Sequence, residues 1–259
     1  MKLKTLTVVL AAAVLAGCGG KDEKAADGAS SKTLNVYNWS DYIAEDTIPN
    51  FEQQSGVKVT YDVFDSDEMV ETKLLAGSSG YDVVVPSLSF LGRQIQAGVF
   101  LPLDKSKIPN LKNVDPKMLE RIALQDPGNQ FAVPYLWGTS GIGYNVDKIK
   151  AIFGDTAVTG SWDVVFKPEN AAKLKDCGIT VLDTPSELIP IALNYLGEDP
   201  HSFDPAVIDK ATNLLKGVRP YIRNFHSSSY INDLANGDIC VVVGWSGDII
   251  QARDRAAEA

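Results

Sequence analysis

The sequence has few of the residues and patterns on which enzyme and nucleic-acid sites are commonly built. It contains 2 histidines and 3 cysteines in 259 residues, and it lacks a Cys-x-x-Cys pair, a zinc-protease motif, a phosphate-binding loop and a dinucleotide fingerprint. It also has no basic stretch, since 33 acidic residues outnumber 24 basic ones and the net charge is −9. These absences argue against a metal or cofactor site, and against nucleic-acid binding, which needs basic residues to neutralise phosphates.

The composition is otherwise that of a folded globular protein. Hydrophobic residues make up 45% and charged residues 22% of the chain, which is typical of a sequence with a packed core. The length suits one large domain or two smaller lobes. The acidic excess favours a cationic ligand only weakly, because for most proteins excess charge means no more than solubility.

Residues 1–17 have the pattern of a bacterial export signal. Two lysines precede an apolar run at residues 6–16 that is too short to cross a bilayer. The run ends in Leu-Ala-Gly-Cys, which resembles the lipobox of bacterial lipoproteins, so we expect Cys18 to carry a lipid. The alternative is a plain secretory signal in which Cys18 is incidental. Residues 18–32 continue as a polar stretch without periodicity, which predicts a flexible tether.

Export also sets the redox environment of the remaining cysteines. If Cys18 is acylated, Cys177 and Cys240 remain as an even pair in an oxidising compartment. We therefore predict a disulfide between them. The alternative is two buried free thiols.

Strand and helix patterns alternate over the first hundred residues. Apolar alternation and short apolar runs predict strands at 34–39, 57–64 and 81–86. Helical spacing, a capping box at 65–68 and terminal glycines predict helices at 43–54, 65–75 and 90–97. This β-α-β-α-β order predicts right-handed crossovers and a parallel sheet with helices on both faces.

The second half of the chain predicts a second lobe. Residues 131–145 have the pattern of extended chain with three glycines, and we interpret them as a crossing between lobes. Strands are then predicted at 179–182 and 239–243, and helices at 187–195, 205–218 and 248–259. The predicted domains are a first lobe at 33–137, and the crossing with the second lobe at 138–259.

Aromatic, acidic and hydroxyl side chains collect after four of the predicted strands. In open α/β sheets ligands bind beyond the carboxyl ends of strands, so these side chains are expected to line one cleft. Carboxylates among aromatic rings suit an ammonium group, because a desolvated cation needs a charge partner and ring faces attract it further. A sugar is the alternative ligand, since it uses the same residue types. The candidate residues are Trp39, Ser40, Asp41, Tyr42, Ser87, Glu187, Trp245 and Asp248.

These residues also have structural explanations. Glu187 follows Thr184 at the spacing of a capping box, and Asp248 suits the N-terminus of the last helix. A hydrolase that uses Ser246 and His226 is disfavoured, because Asp248 occupies the place of the second glycine in the nucleophile-elbow motif. We therefore predict no enzyme, no catalytic residue and no cofactor.

A set of short segments carries a family resemblance: residues 37–43, 61–66, 81–87, 104–107, 141–145 and 230–238, and Gly244-Trp245. These segments resemble periplasmic polyamine-binding proteins of ABC transporters, above all their putrescine-binding members. The resemblance covers the chain from Thr33 to Ala259.

The resemblance implies a type II-like α/β fold in which two lobes, each a mostly parallel sheet flanked by helices, close over the ligand. It implies a periplasmic monomer that delivers a polyamine to an inner-membrane ABC permease and its ATPase. It also supports the disulfide between Cys177 and Cys240. The implied ligand contacts are Trp39, Tyr42 and Trp245 beside the aliphatic stem, Ser40 and Ser87 as hydroxyl contacts, and Asp41, Glu187 and Asp248 as acids, with Asp248 paired directly to one ammonium.

The ligand expected from the resemblance is putrescine, since Ser89 and Thr184 are small at positions where spermidine-selective relatives are expected to differ. A spermidine-selective receptor and a polyamine sensor that signals through a membrane partner are the alternatives. The resemblance implies that family members continue for roughly a further hundred residues, which is consistent with two lobes of typical domain size. We therefore expect this chain to lack the part that completes the first lobe and supplies another cleft aspartate.

Overall fold

The computed structural model describes residues 32–258. The predicted export signal, Cys18 and nearly all of the tether lie outside the described residues. The strands are β1 (Thr33–Trp39), β2 (Lys58–Phe64), β3 (Val83–Val84), β4 (Ser140–Tyr144), β5 (Ile179–Val181), β6 (Asn224–Phe225) and β7 (Val241–Trp245). The helices are α1 (Thr47–Ser55), α2 (Asp67–Leu75), α3 (Leu88–Gln96), α4 (Pro116–Ile122), α5 (Val146–Phe153), α6 (Asp163–Phe166), α7 (Pro168–Leu174), α8 (Pro185–Tyr195), α9 (Pro205–Val218), α10 (Tyr230–Ala235) and α11 (Ser246–Glu258). Within the described part, no helix combines the length and the apolar composition that crossing a membrane requires.

The first sheet has the strand order β2-β1-β3, and both pairings are parallel, as predicted. The strand predicted at 81–86 is shorter in the structure, where only Val83–Val84 forms regular pairs with β1. Pro86 cannot extend this pairing because it lacks an amide proton. The amides of Asp82 and Val85 still donate to β1. Val83 is 44% exposed, so the expectation of a buried strand is wrong at this position.

The second sheet has the order β4-β7-β5-β6. Strands β5, β6 and β7 are parallel, whereas β4 runs antiparallel to β7 and places Ser140 opposite Trp245. Residues 140–144 are thus an edge strand of this sheet, while 131–139 have no regular structure. The prediction for the last strand is two residues too early, and Trp245 ends β7 instead of following it.

Helix boundaries follow local end signals more closely than hydrophobic spacing. Helix α1 begins at Thr47, four residues later than the predicted start at Ile43, and ends at Ser55, where Gly56 caps it with a positive φ of 68°. Helix α2 begins one residue later than the capping box at 65–68 predicts: its N-cap is Ser66, whose side chain accepts the Met69 amide. Such caps satisfy amides that have no partner within the helix.

The larger hydrophobic core surrounds the second sheet. Strands β5 and β7 are buried along nearly their whole length, as expected of parallel strands covered on both faces. The first sheet has a smaller core of Tyr37, Phe64, Val70 and Leu74. A disulfide joins Cys177 to Cys240 with Cα atoms 5.7 Å apart, and it ties the chain before β5 to the chain before β7.

Candidate functional site

A cavity of about 1960 Å³ lies between the two sheets at the carboxyl ends of their parallel strands. Because β4 is antiparallel, its first residue, Ser140, also reaches this end of the second sheet. Two of the predicted site residues, Ser40 and Asp248, do not line the cavity. Six of the predicted residues do: Trp39, Asp41, Tyr42, Ser87, Glu187 and Trp245.

The aromatic wall of the cavity is built from both sheets. The Trp39 indole donates a hydrogen bond of 2.9 Å to the Val85 carbonyl, which fixes the ring at the end of β1. Its ring packs 4.6 Å from Phe64 and edge-to-face against Trp245, with centroids 5.3 Å apart and an angle of 77°. Edge-to-face geometry is favourable for aromatic pairs and leaves ring faces for other contacts.

Tyr42 and Tyr230 both donate to the carboxylate of Asp248. Tyr42 reaches Oδ1 at 2.6 Å and Tyr230 reaches Oδ2, while the Tyr230 oxygen accepts the Trp245 amide at 3.1 Å. Asp248 is only 1% exposed. Burial raises the pKa of Asp248, and the two phenol hydrogen bonds oppose that rise. Burial together with the neighbouring carboxylate raises the pKa of each tyrosine.

Asp41 connects the loop after β1 to helices α10 and α11. Its Oδ2 accepts a hydrogen bond of 2.9 Å from the hydroxyl of Ser228, which lies two residues before α10. Arg255 lies 3.4 Å from Oδ1, and Gln251 donates to the Asp41 carbonyl at 3.0 Å. Asp41 is thus a cleft acid that already bridges the two sides of the cavity.

Glu187 faces the cavity from the first turn of α8. Its Oε2 accepts the hydroxyl of Ser140 at 2.7 Å. The capping explanation fails for Thr184, whose side chain caps no amide of α8 and pairs with the Ser227 hydroxyl at 3.0 Å. The carboxylate of Glu187 therefore belongs to the cavity wall.

The two predicted serines occupy different positions. Ser40 lies behind the wall, where its hydroxyl bonds to Asp65 and approaches the Phe64 carbonyl at 3.3 Å. Ser87 precedes α3 and lines the cavity, and its amide donates to Oδ1 of Asp67 at 2.8 Å.

Asp67 is a cavity residue that the sequence analysis missed, because its place in the capping box of α2 gave it a structural explanation. It lines the cavity and is 4% exposed. Burial raises the pKa of Asp67 to about 6, while hydrogen bonds from Ser87 lower it. Its contact with Ser87 joins residues 20 positions apart in the sequence, so no local sequence pattern indicates it.

The charge of the wall suits a cation. Among the described residues the lining contains one basic side chain, Arg121, and five carboxylates: Asp41, Asp67, Asp82, Asp104 and Glu187. Within residues 32–258 no group of three or more metal-ligating side chains is arranged to hold a metal ion.

The hydrolase alternative has no geometric support. The Ser246 oxygen accepts the Thr139 amide at 3.2 Å. Nδ1 of His226 accepts the amides of Ser228 and Ser229 at 3.0 and 2.9 Å. Ser246 and His226 therefore accept hydrogen bonds from backbone amides and do not bond to each other.

Comparison with known proteins gives a consistent result. Residues 47–258 match the family described as bacterial extracellular solute-binding protein. The chain is 60% identical over 232 residues to the putrescine-binding periplasmic protein PotF of Escherichia coli, a match that covers 89% of this chain and 63% of PotF. It is 56% identical over 256 residues to the putrescine-binding periplasmic protein SpuD of Pseudomonas aeruginosa, covering 99% of this chain and 68% of SpuD.

Among solved structures, the TpPotD lipoprotein of Treponema pallidum superposes with a TM-score of 0.71 at 30% identity, covering 85% of this chain and 66% of that protein. The similarity confirms the predicted α/β fold. PotF and SpuD are binding proteins by name, in agreement with the prediction that the chain is not an enzyme. The chain spans 63% of the length of PotF. By the extent of the family match and the level of identity, the chain belongs to the bacterial extracellular solute-binding proteins.

Proposed function

We propose that the protein binds a short diamine, putrescine, in the cavity between its two sheets. The observation that carries the proposal is the lining, in which carboxylates and aromatic rings from both sheets face one space. Each ammonium needs an acidic partner, and the aliphatic stem needs an apolar wall. PotF and SpuD, which the chain resembles over most of its length, are both described as putrescine-binding.

Within this proposal the three cavity aromatics Trp39, Tyr42 and Trp245 flank the stem. Asp41 and Glu187 attract the ammonium groups. Direct pairing of Asp248 with an ammonium requires Tyr42 to release Oδ1, because both oxygens of Asp248 accept tyrosine hydroxyls.

Ser87 contributes a hydroxyl in the cavity wall. Ser40 acts from behind the wall through Asp65. The proposed lobes are 33–137 and 138–259, and they close over the ligand.

We also propose that the protein works in the periplasm, tethered through a lipid on Cys18, and delivers the diamine to an ABC permease with its ATPase. The support is the lipobox-like sequence and the periplasmic description of PotF and SpuD. Mass spectrometry of the N-terminal peptide tests the tether: an acylated Cys18 is expected, and an unmodified cysteine in the membrane fraction contradicts it.

Calorimetry tests ligand identity. Putrescine is expected to bind the purified full-length protein, spermidine more weakly, and a maltodextrin not at all. Glu187→Gln keeps the side-chain shape and removes a charge, so it is expected to weaken putrescine binding at least tenfold, about 1.4 kcal/mol. Asp204→Asn, at the start of α9 and away from the cavity, is the matched control. Binding of the maltodextrin without heat from either amine would refute the proposal.

A further inference from the structure

We propose that Asp67 is a positioning residue for the cation site: in its ionised form it orients Ser87 as an acceptor for an ammonium group, and its protonation weakens ligand binding. The inference rests on the proposed function and assigns to that site a further residue and a dependence on pH.

Asp67 lies where helices α2 and α3 meet on the first-sheet side of the cavity. Asp67 is the first residue of α2, Ser87 immediately precedes α3, and the Ser87 amide donates to Oδ1 of Asp67 at 2.8 Å. Both residues line the cavity, and Asp67 is buried. The amides at the start of α2 favour a negative charge there. Asp67 therefore fixes the position of Ser87 relative to the cleft.

The protonation state of Asp67 decides which way the Ser87 hydroxyl acts. A serine hydroxyl has one proton to donate and two lone pairs. When the ionised carboxylate of Asp67 takes that proton, the lone pairs of Ser87 remain as acceptors. An ammonium group carries only donors, so it needs acceptors. A protonated Asp67 is itself a donor, and it competes with the ligand for the Ser87 oxygen.

The surroundings of Asp67 set the pH at which this change occurs. Burial raises the pKa of Asp67 to about 6 against the hydrogen bonds from Ser87. Two further carboxylates raise it: Glu68, beside it on α2, and Glu187, across the cavity on α8. Helix α3 contributes Arg93, but this guanidinium pairs with Glu71. A cation in the cavity acts in the opposite direction and favours the ionised form.

The test is putrescine calorimetry at pH 7.5 and pH 5.0. Acidification to one unit below the transition leaves about a tenth of Asp67 ionised, so the dissociation constant of the parent protein is expected to rise by up to about tenfold. Asp67→Asn is expected to bind more weakly at pH 7.5 and to show a clearly smaller change between the two pH values. Ser87→Ala keeps the hydrogen bond from its backbone amide to Asp67. It is also expected to bind putrescine more weakly at pH 7.5 and to show a smaller change between the two pH values. Asp204→Asn is expected to match the parent.

An Asp67→Asn protein that keeps both the affinity and the pH dependence of the parent overturns the inference and leaves the proposed function standing. If Asp67→Asn does not fold, a Ser87→Ala protein that keeps both the affinity and the pH dependence of the parent overturns the inference instead. Absence of putrescine binding by the parent at both pH values overturns the proposed function, and the inference with it.

Discussion

Replacing Asp248 by alanine removes the acceptor of two tyrosine hydroxyls, those of the buried Tyr230 and the half-buried Tyr42. A hydrogen bond to a charged acceptor contributes about 1.5–3 kcal/mol, so losing those from Tyr42 and Tyr230 costs roughly twice this amount. The loss is partly offset, because the variant no longer keeps a carboxylate out of water. Burial raises the pKa of Asp248, so the variant no longer carries the cost of a buried charge, but it leaves two tyrosine hydroxyls without their acceptor. We therefore expect Asp248→Ala to lower the free energy of unfolding by about 2–4 kcal/mol.

Asp248→Asn separates the hydrogen bonds from the charge. The amide retains an acceptor oxygen, and its NH₂ group can donate to the second tyrosine oxygen. Urea unfolding is therefore expected to place this variant within about 1 kcal/mol of the parent. Both variants are expected to bind putrescine at least tenfold more weakly, about 1.4 kcal/mol, because both lack the negative charge.

Two results would refute this reasoning. Equal stability of Asp248→Ala and the parent would mean that the buried tyrosine bonds contribute nothing. An unchanged dissociation constant for Asp248→Asn would mean that the charge at this position does not act on the ligand. Calorimetry and urea unfolding on the same preparations distinguish the two results.

Two further predictions concern stability. Replacing both Cys177 and Cys240 by alanine is expected to lower the free energy of unfolding in urea by about 4 kcal/mol, because the disulfide closes a long loop of 63 residues. Reductant should destabilise the parent protein and leave the double variant unchanged. A double variant as stable as the parent contradicts this prediction. Folding raises the pKa of Asp67 from 3.8 to about 6. Between these two pH values the folded protein binds more protons than the unfolded chain, so the free energy of unfolding falls as the pH rises from 3.8 to about 6. Asp67→Asn is therefore expected to be more stable than the parent at pH 7, by at most about 3 kcal/mol, and to lose this advantage at pH 3; a constant difference between the two proteins across pH 3 to 7 contradicts this.

The fold was predictable from sequence where local chemistry decides it. Alternating apolar residues at 34–39, the capping box before α2 and the glycine after α1 give boundaries within a few residues of those observed. Strand β7 was placed too early because its apolar run begins at Ile239, and a uniform run does not show which of its residues pair. Strand β7 pairs with β5 from Val241 to Val243 and with β4 from Val241 to Trp245, and the glycines of β4 obscured it as a strand.

The site was predictable to the level of its residue types but not of its contacts. Six of the eight candidate residues line the cavity because parallel strands bring their carboxyl ends to one edge. The bond between Tyr42 and Asp248 spans 206 positions in sequence, and it places the aspartate behind the wall. Asp67 was missed for a related reason: its local pattern already explains it as a helix start, whereas its contact with Ser87 depends on the packing of α2 and α3.

The distribution of acids over the two sides of the cavity argues for a ligand with two positive charges. Asp41 and Asp67 come from elements of the first sheet, whereas Glu187 comes from the second. Burial is the main cause of the raised pKa of Asp67, and the carboxylate of Glu187 across the space adds to the rise. Burial is likewise the main cause of the raised pKa of Asp248, and the carboxylate of Asp41 adds to it. A cation at one end relieves only the repulsion near it. Under the proposed function, a diamine relieves the repulsion at both ends, and because the acids belong to opposite sides, its binding also favours the arrangement that brings the two sheets together.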